Sequence, residues 1–478
     1  MRIAFLLSVL AGFIVLTGCQ KWISVEGFSS TEKYRWRVVG DVSIVEYTPD
    51  QVTDIEIMTE KTDQIIDGFG GCFNELGCEA LQLLDETKRE DVMQFLFSGE
   101  GCDFNICRMP IGANDFAVDW YSLNDSVDDF GMENFNIERD RTRLVPYIKL
   151  AMKHKPDLKV WGSPWCPPVW MKKNGNYACS PSPFNELDPE LPRSENGDTD
   201  FIMKKNVLEA YAHYFLKYVQ AYRAEGIDVY AIHVQNEPHS CQIFPSCLWR
   251  GTDLRDFIVD HLGPLFSEEG METEIWYGTF ERPYRDEWAE EIDAVLDDER
   301  ALKYIKGFGF QWAGKDAVAA VHEKQPNLKL MHTETECGDG NNTWGRAEYI
   351  YDLFRHYFDQ GANSQMHWNM ILAEDAVSTW GWIQNSMITV HGDSRSYSLN
   401  PEFYVMKHFS HFIKPGVVKL KLEGDRDNEL AFKNRKGDVI LVVNNRREEE
   451  RELKVKVLDW TVTVKMAPHS FNSYVIRR

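Results

Sequence analysis

From Gln64 onward the chain repeats one unit, a short apolar run that ends in glycine, proline or polar residues and is followed by a stretch with helical spacing. Eight such runs follow in order: IIDGFGGCF, FNICRMPIG, KVWGSPWCPP, VYAIHVQNEP, EIWYGTFE, IKGFGFQWAG, LKLMHTETE and SQMHWNMIL. Helix-forming stretches lie between them, among them NELGCEALQLL, LVPYIKLAMKH and the segments 201–226, 255–270 and 343–361, several closed by glycine as helix C-termini prefer. Apolar runs buried on both faces and separated by helices make a parallel sheet, and eight of them close a barrel. The predicted fold class is therefore α/β, a (β/α)8 TIM barrel.

The texture differs at both ends. Between Tyr34 and Ile57, and again beyond Pro415, polar and apolar residues alternate as in strands with one solvated face. These two sets are expected to join in a β-sandwich attached to the barrel. The boundaries read this way are a leader at 1–18, N-terminal sandwich strands at 27–60 after a short linker, the barrel at 61–413 and C-terminal sandwich strands at 414–478.

The leader, MRIAFLLSVLAGFIVLTGC, pairs a basic start with an apolar run too short to span a bilayer comfortably, and ends in LTGC, which resembles a bacterial lipobox. This implies cleavage before Cys19 and lipidation of its thiol. Gln20 is not the aspartate that retains bacterial lipoproteins in the inner membrane, so the expectation is an exported protein anchored to the outer membrane by lipid alone. A formal net charge of -23 would repel nucleic acid and anionic surfaces, which leaves a neutral substrate as the better partner. The other nine cysteines show no CxxC pair or regular framework, so no metal is expected and disulfides stay as open as buried thiols. The 15 tryptophans suit the packing of sugar rings on indoles, though core packing is the commoner use of any one of them.

Chemistry gathers at two strand ends. In residues 228–238, DVYAIHVQNEP, a buried strand gives way to Asn236-Glu237-Pro238, with Pro238 unable to extend the ladder. In LKLMHTETE, strict alternation sets Leu328, Leu330 and His332 on one side and Lys329, Met331 and Thr333 on the other, so Glu334 and Glu336 are expected to share a side. Glu237 would close the fourth strand and Glu334 the seventh, on opposite sides of a barrel mouth. Two carboxyls about 5–5.5 Å apart are what a retaining glycosidase needs.

The runs FGGCFNE, RMPIGANDF, GSPWCPPVWMKKNG, NEP, PNLKLMHTE, HWNM and FYVMKHFSHFIKPG, in this order, resemble glycoside hydrolase family 30, which holds the lysosomal glucosylceramidase and microbial endo-β-1,6-glucanases. The resemblance implies that Glu237 is the acid/base and Glu334 the nucleophile. It also implies that Asp115 and Trp165 hold the sugar, that Asn236 bonds its 2-hydroxyl, that Trp368 forms a wall, and that Arg108 lies beneath and pairs with a catalytic carboxylate. Glu336 ranks below Glu334, because the spacing from Pro326 and the preceding Thr333 match the family at Glu334. At the sixth strand Gln311-Trp312-Ala313 stands where glucosylceramidase has His-Trp-Tyr, which makes Trp312 a substrate-binding candidate and speaks against a lipid-linked aglycone. The implied function is retaining hydrolysis of a β-glucan, β-1,6-glucanase-like, with no cofactor. The alternatives are a glucosylceramidase-like exo-β-glucosidase, a xylanase or fucosidase of the same family, and, from another class, a lipid-anchored glycan-binding protein without turnover.

Overall fold

The structure, a computed structural model, describes residues 23–190 and 197–478. Cys19 and the leader lie outside the described residues. All eight predicted runs form strands: Gly68–Cys72, Ile106–Pro110, Lys159–Ser163, Val229–His233, Glu274–Phe280, Ile305–Gln311, Lys329–Glu334 and Ser364–Asn369. They pair in parallel and in sequence, and the eighth returns to the first to close the barrel. Inside, Ile106, Trp161, Ala231, Trp276, Met331 and Met366 form a separate apolar cluster. His233 is sandwiched between Trp161 and Trp276, with ring centroids 4.0 and 4.7 Å away, and burial drives its pKa well below the ordinary value. Stacked between indoles and fully buried, the imidazole stays neutral. The lower barrel is thus a plug, and chemistry is confined to the mouth.

The crossover helices show why the local sequence stops where it does. Asn74 caps Glu75–Gln82 by accepting from Gly77 N at 2.6 Å, and Thr343 caps Trp344–Asp359 by accepting from Arg346 N at 3.2 Å. Lys205–Ala224 buries Tyr211, Tyr214, Phe215, Tyr218 and Tyr222, a stripe at helical spacing. The segment 255–270, expected as one helix, is helical without a gap from Gly251 to Glu268, with a π-turn at Ile258–Leu262 between Gly251–Phe257 and Gly263–Glu268. Pro264 has no N–H to give the ladder, and the widened turn absorbs the defect.

Both chain ends build one ten-stranded sheet that folds over its own apolar core of Ile55, Ile57, Leu441, Val443, Leu453, Val455, Val462, Val464 and their neighbours. Ser24–Thr31, part of which was read as a linker, is a strand in register with Ser470–Arg477. Its residues, SVEGFSST, carry little alternation, and the eight-residue ladder to its partner holds it extended. Among the described strands of this sheet, only Arg451–Val457 against Ile55–Ile65 pairs in parallel. The strands Glu429–Lys433, Val439–Asn445 and Ser470–Arg477 are buried on both faces along most of their length, because one face meets the barrel helix Trp344–Asp359: Phe432 packs on Phe358, Val442 O accepts from Tyr351 Oη at 2.9 Å, and Phe471 packs on Trp344. The sandwich is seated on the barrel by this aromatic layer.

One element was not anticipated. The eighth run leaves the barrel after Asn369, and Ile371–Ala373 joins Ile388–His391 and Ser396–Leu399 in a small sheet at the barrel mouth. Its long connection, 374–387, carries Trp380 and Trp382.

Candidate active site

Glu237 is held by its neighbours' backbones. Asn236 N donates to Pro164 O at 2.8 Å and Glu237 N to Thr279 O at 3.1 Å, so the segment after the fourth strand is pinned to the third and fifth. Glu237 sits at φ 45° and Trp312, just past the sixth strand, at φ 50°. A non-glycine residue held left-handed costs roughly 1–3 kcal/mol, and both instances occur where side chains are aimed into the mouth.

Glu334 arrives by a route that strict alternation misses. Phe310 pairs with His332 but Gln311 pairs with Glu334, so Thr333 is an extra residue in the seventh strand. Leu330 joins the layer between barrel and helices and His332 stacks outward on Tyr357 at 3.9 Å, whereas Met331 points inward. An unbroken pleat would send Glu334 outward with Leu330 and His332; the bulge turns it in. Glu336 does not share its side. That carboxylate accepts from Lys315 Nζ at 2.7 Å and from Tyr349 Oη at 2.8 Å at the rim.

One amide joins the two acids. Gln311 Nε2 donates to Glu237 Oε1 at 2.9 Å and lies 3.3 Å from Glu334 Oε2. These contacts hold one oxygen of each carboxyl against the same nitrogen. Beneath them Arg108 donates to Glu334 Oε2 at 3.0 Å, to Asn236 Oδ1 at 2.6 Å and to Ser163 Oγ at 3.0 Å, with its guanidinium over the Trp165 ring at 4.3 Å. Asn236 Oδ1 also accepts from Thr279 Oγ1 at 2.8 Å, which leaves its NH2 for the cavity that the residue lines.

Burial raises the pKa of both carboxyls. Glu237 is pushed further by the negative Glu281, and Glu334 is drawn back down by Arg108. Arg108 touches Glu334 and not Glu237, so of the two carboxyls only Glu334 has a cation bonded to it. Asp115, also buried, is pushed up to about 6.

The cavity above this pair has a volume of about 370 Å³, within the range of small-ligand sites. Asp115, Trp165, Asn236, Glu237, Trp312 and Glu334 line it. Trp368 does not; it packs behind Trp165 at 5.5 Å, so the indole facing the cavity is Trp165. Among the described residues no cluster of three or more His, Cys, Asp or Glu side chains could hold a metal ion.

Residues 66–413 match the family model described as the glycosyl hydrolase family 30 TIM-barrel domain. The chain belongs to glycosyl hydrolase family 30. It is 26% identical over 452 residues to the lysosomal acid glucosylceramidase of Mus musculus, covering 89% of this chain and 83% of that one. It is 27% identical over 373 residues to endo-1,6-beta-D-glucanase neg1 of Aspergillus fumigatus, covering 76% and 73%. The fold superposes on SrfJ from Salmonella typhimurium with a TM-score of 0.83 at 24% identity, over 95% of this chain and all of that one. The protein is a glycoside hydrolase.

Several cavity residues of this family 30 enzyme escaped sequence reasoning. Gln311 was noticed only as part of a departure from the resemblance, yet it is the bridge between the acids. Gln242 Nε2 donates to Glu237 Oε2 at 3.2 Å, and Glu281, anchored by Ser240 Oγ at 2.9 Å, supplies the second negative charge near Glu237. Trp380 and Trp382 stand on the outer wall, with Phe244 stacked on Trp380 at 5.3 Å and Trp382 on Trp312 at 6.1 Å. A WGW triplet in a loop, where a tryptophan has no core to fill, is the signal that could have found them.

Proposed function

We propose that this enzyme is a retaining hydrolase of β-linked glucan, with β-1,6-glucan as its substrate of first choice. The observation that carries the reading is the single Gln311 amide within reach of both carboxyls, with Arg108 on Glu334 alone. Glu334, ionised, attacks the anomeric carbon while Glu237 protonates the departing oxygen. Glu237, now a base, takes a proton from water, which attacks the same carbon and releases Glu334. Asp115 and the Asn236 NH2 hold the hydroxyls of the sugar against Trp165. Trp312, Trp380 and Trp382 offer flat apolar faces to the sugars on either side of the scissile bond.

The likeness to endo-1,6-beta-D-glucanase neg1 supports the linkage. A second reading, an exo-β-glucosidase acting on a lipid-linked glucoside, is favoured by the likeness to lysosomal acid glucosylceramidase. Digestion of linear β-1,6-glucan separates them. Endo action gives a ladder of oligosaccharides, whereas release of glucose alone, or no product from glucan alongside cleavage of glucosylceramide, overturns the glucanase reading. Proton NMR of the first products should show the β-anomer before mutarotation. Early α-anomer would overturn double displacement whatever the substrate. We also propose that the chain is exported and anchored through a lipid on Cys19, as the LTGC leader supports.

A further inference from the structure

The loops that follow the third and fourth barrel strands are stitched together at the rim of the cavity. Cys179 N and Ser180 N both donate to Gln242 O, at 3.0 and 2.9 Å, and Ala178 pairs antiparallel with Pro245. This crossing sets Cys179 beside Cys241, the residue before Gln242, with the two side chains close enough to influence each other. Cys179 is buried, with its Sγ 2.8 Å from Asp200 Oδ2 and 3.7 Å from Lys172 Nζ. Cys241 alone among the described cysteines is not fully buried.

We propose that Cys179 and Cys241 form a disulfide in an oxidising compartment, closing the two loops and fixing Gln242 against the acid Glu237. Cysteines set side by side by crossing backbones need little movement to bond, which is the geometric condition most thiol pairs fail. The Cys241 thiol is lowered to about 7, chiefly by the Cys179 side chain beside it, so a share of it is thiolate near neutral pH. The oxidant is a disulfide, either that of a dithiol oxidoreductase or a small-molecule one. The Cys241 thiolate attacks one sulfur of it, breaking its S–S bond and expelling one thiolate. Cys179 then gives its proton to Asp200 and attacks Cys241 Sγ, expelling the second. Two cysteine thiols are oxidised, the oxidant takes two electrons, and both protons leave to solvent or to the expelled thiolates.

The consequence for catalysis runs through the next residue. Gln242 Nε2 donates to Glu237 Oε2 at 3.2 Å, and Gln242 N donates to Ser246 Oγ at 3.2 Å. Gln242 is a positioning residue in this arrangement, and the bridge removes the loop motion that would let it swing away from the carboxyl.

The test needs no substrate for its first arm, so its outcome is independent of the glucanase reading. The full chain, purified reduced, is incubated with oxidised glutathione, denatured in an alkylating agent and digested. A peptide pair joined through Cys179 and Cys241 is expected, and it disappears on reduction and in Cys241→Ser. Alkylation of both cysteines, or a bridge to Cys247 or Cys166, overturns the proposal. In the second arm the oxidised protein should unfold about 3–10 °C above the reduced one. The alkaline limb of its kcat/KM profile, which reports Glu237, should shift by about 0.5 pH unit or more between the two states. A bridge that forms without moving that limb overturns the positioning of Gln242, and Gln242→Ala, which should place the limb at the same pH in both states, separates that role from a general tightening of the loops.

Discussion

Arg108 and Glu334 form an ion pair of 3.0 Å in which the guanidinium is fully buried and the carboxylate is 7% exposed. A buried pair of this kind gives little net stability while both partners are present, but losing one leaves the other stranded. Arg108→Met should cost about 3–5 kcal/mol and push the Glu334 proton affinity further up. Urea unfolding checks the first effect, and the acid limb of the kcat/KM profile, displaced to higher pH, checks the second. A variant with unchanged stability and an unmoved limb would show that the pair is not what keeps Glu334 charged.

The profile of the unaltered enzyme should be a bell. Activity rises on the acid side as Glu334 loses its proton and falls on the alkaline side as Glu237 loses the proton it must donate. In Glu237→Ala, dinitrophenyl glycosides need no acid help, so glycosylation should persist while deglycosylation slows. Azide should restore turnover and give a β-glycosyl azide. Absence of rescue with an activated substrate would remove Glu237 from the acid/base role.

Glu336 provides the control for the nucleophile. Because it is engaged by Lys315 and Tyr349 at the rim, Glu336→Gln should leave labelling by a 2-fluoro glycoside intact, whereas Glu334→Gln should abolish it. Peptide mass spectrometry that finds the adduct on Glu336 would reverse the assignment.

Glu402 lies outside the site and tests the electrostatics of the scaffold. It is fully buried, accepts from Asn385 Nδ2 at 2.6 Å, and burial pushes it up to about 7 from 4.5. The raised value means that the folded protein keeps a proton the unfolded chain gives up between those two pH values. Its contribution is therefore full below about pH 4.5 and is lost as pH rises to about 7, a change on the order of 3 kcal/mol. Glu402→Gln cannot titrate, so its stability relative to the unaltered protein should improve between pH 5 and 7. Parallel pH slopes in urea titrations would count against a buried, protonated Glu402.

For the proposed anchor, Cys19→Ser should move the protein from the membrane fraction to the soluble one. Unchanged fractionation would mean that the leader works without lipidation.

The barrel was legible because each of its strands is an apolar run stopped by glycine, proline or polar residues, a signal local to a few residues. Glu237 was legible for the same reason, as it follows the fourth run directly. Glu334 was legible with Glu336 at the end of the seventh run and was chosen over it through the resemblance; the bulge that parts the two depends on how Gln311 pairs across the ladder and leaves no mark in LKLMHTETE. Gln311 and Gln242 were missed for a related reason: an amide is as ordinary on a surface as at a site, and only the carboxyls it touches distinguish it. Ser24–Thr31 was invisible because its extended shape is imposed by a partner more than 400 residues away.

That partner, Ser470–Arg477, is flanked by Ser24–Thr31 on one side and Val439–Asn445 on the other. Ser24–Thr31 is therefore matched to a stretch synthesised more than 400 residues later, and until that stretch arrives the edges of Ser24–Thr31 and Val439–Asn445 stay open and sticky. Deleting only Ser470–Arg477 would leave every barrel residue and both acids intact. It would still yield a chain prone to cling to its copies, so the solubility of this enzyme depends on a strand that never touches its chemistry.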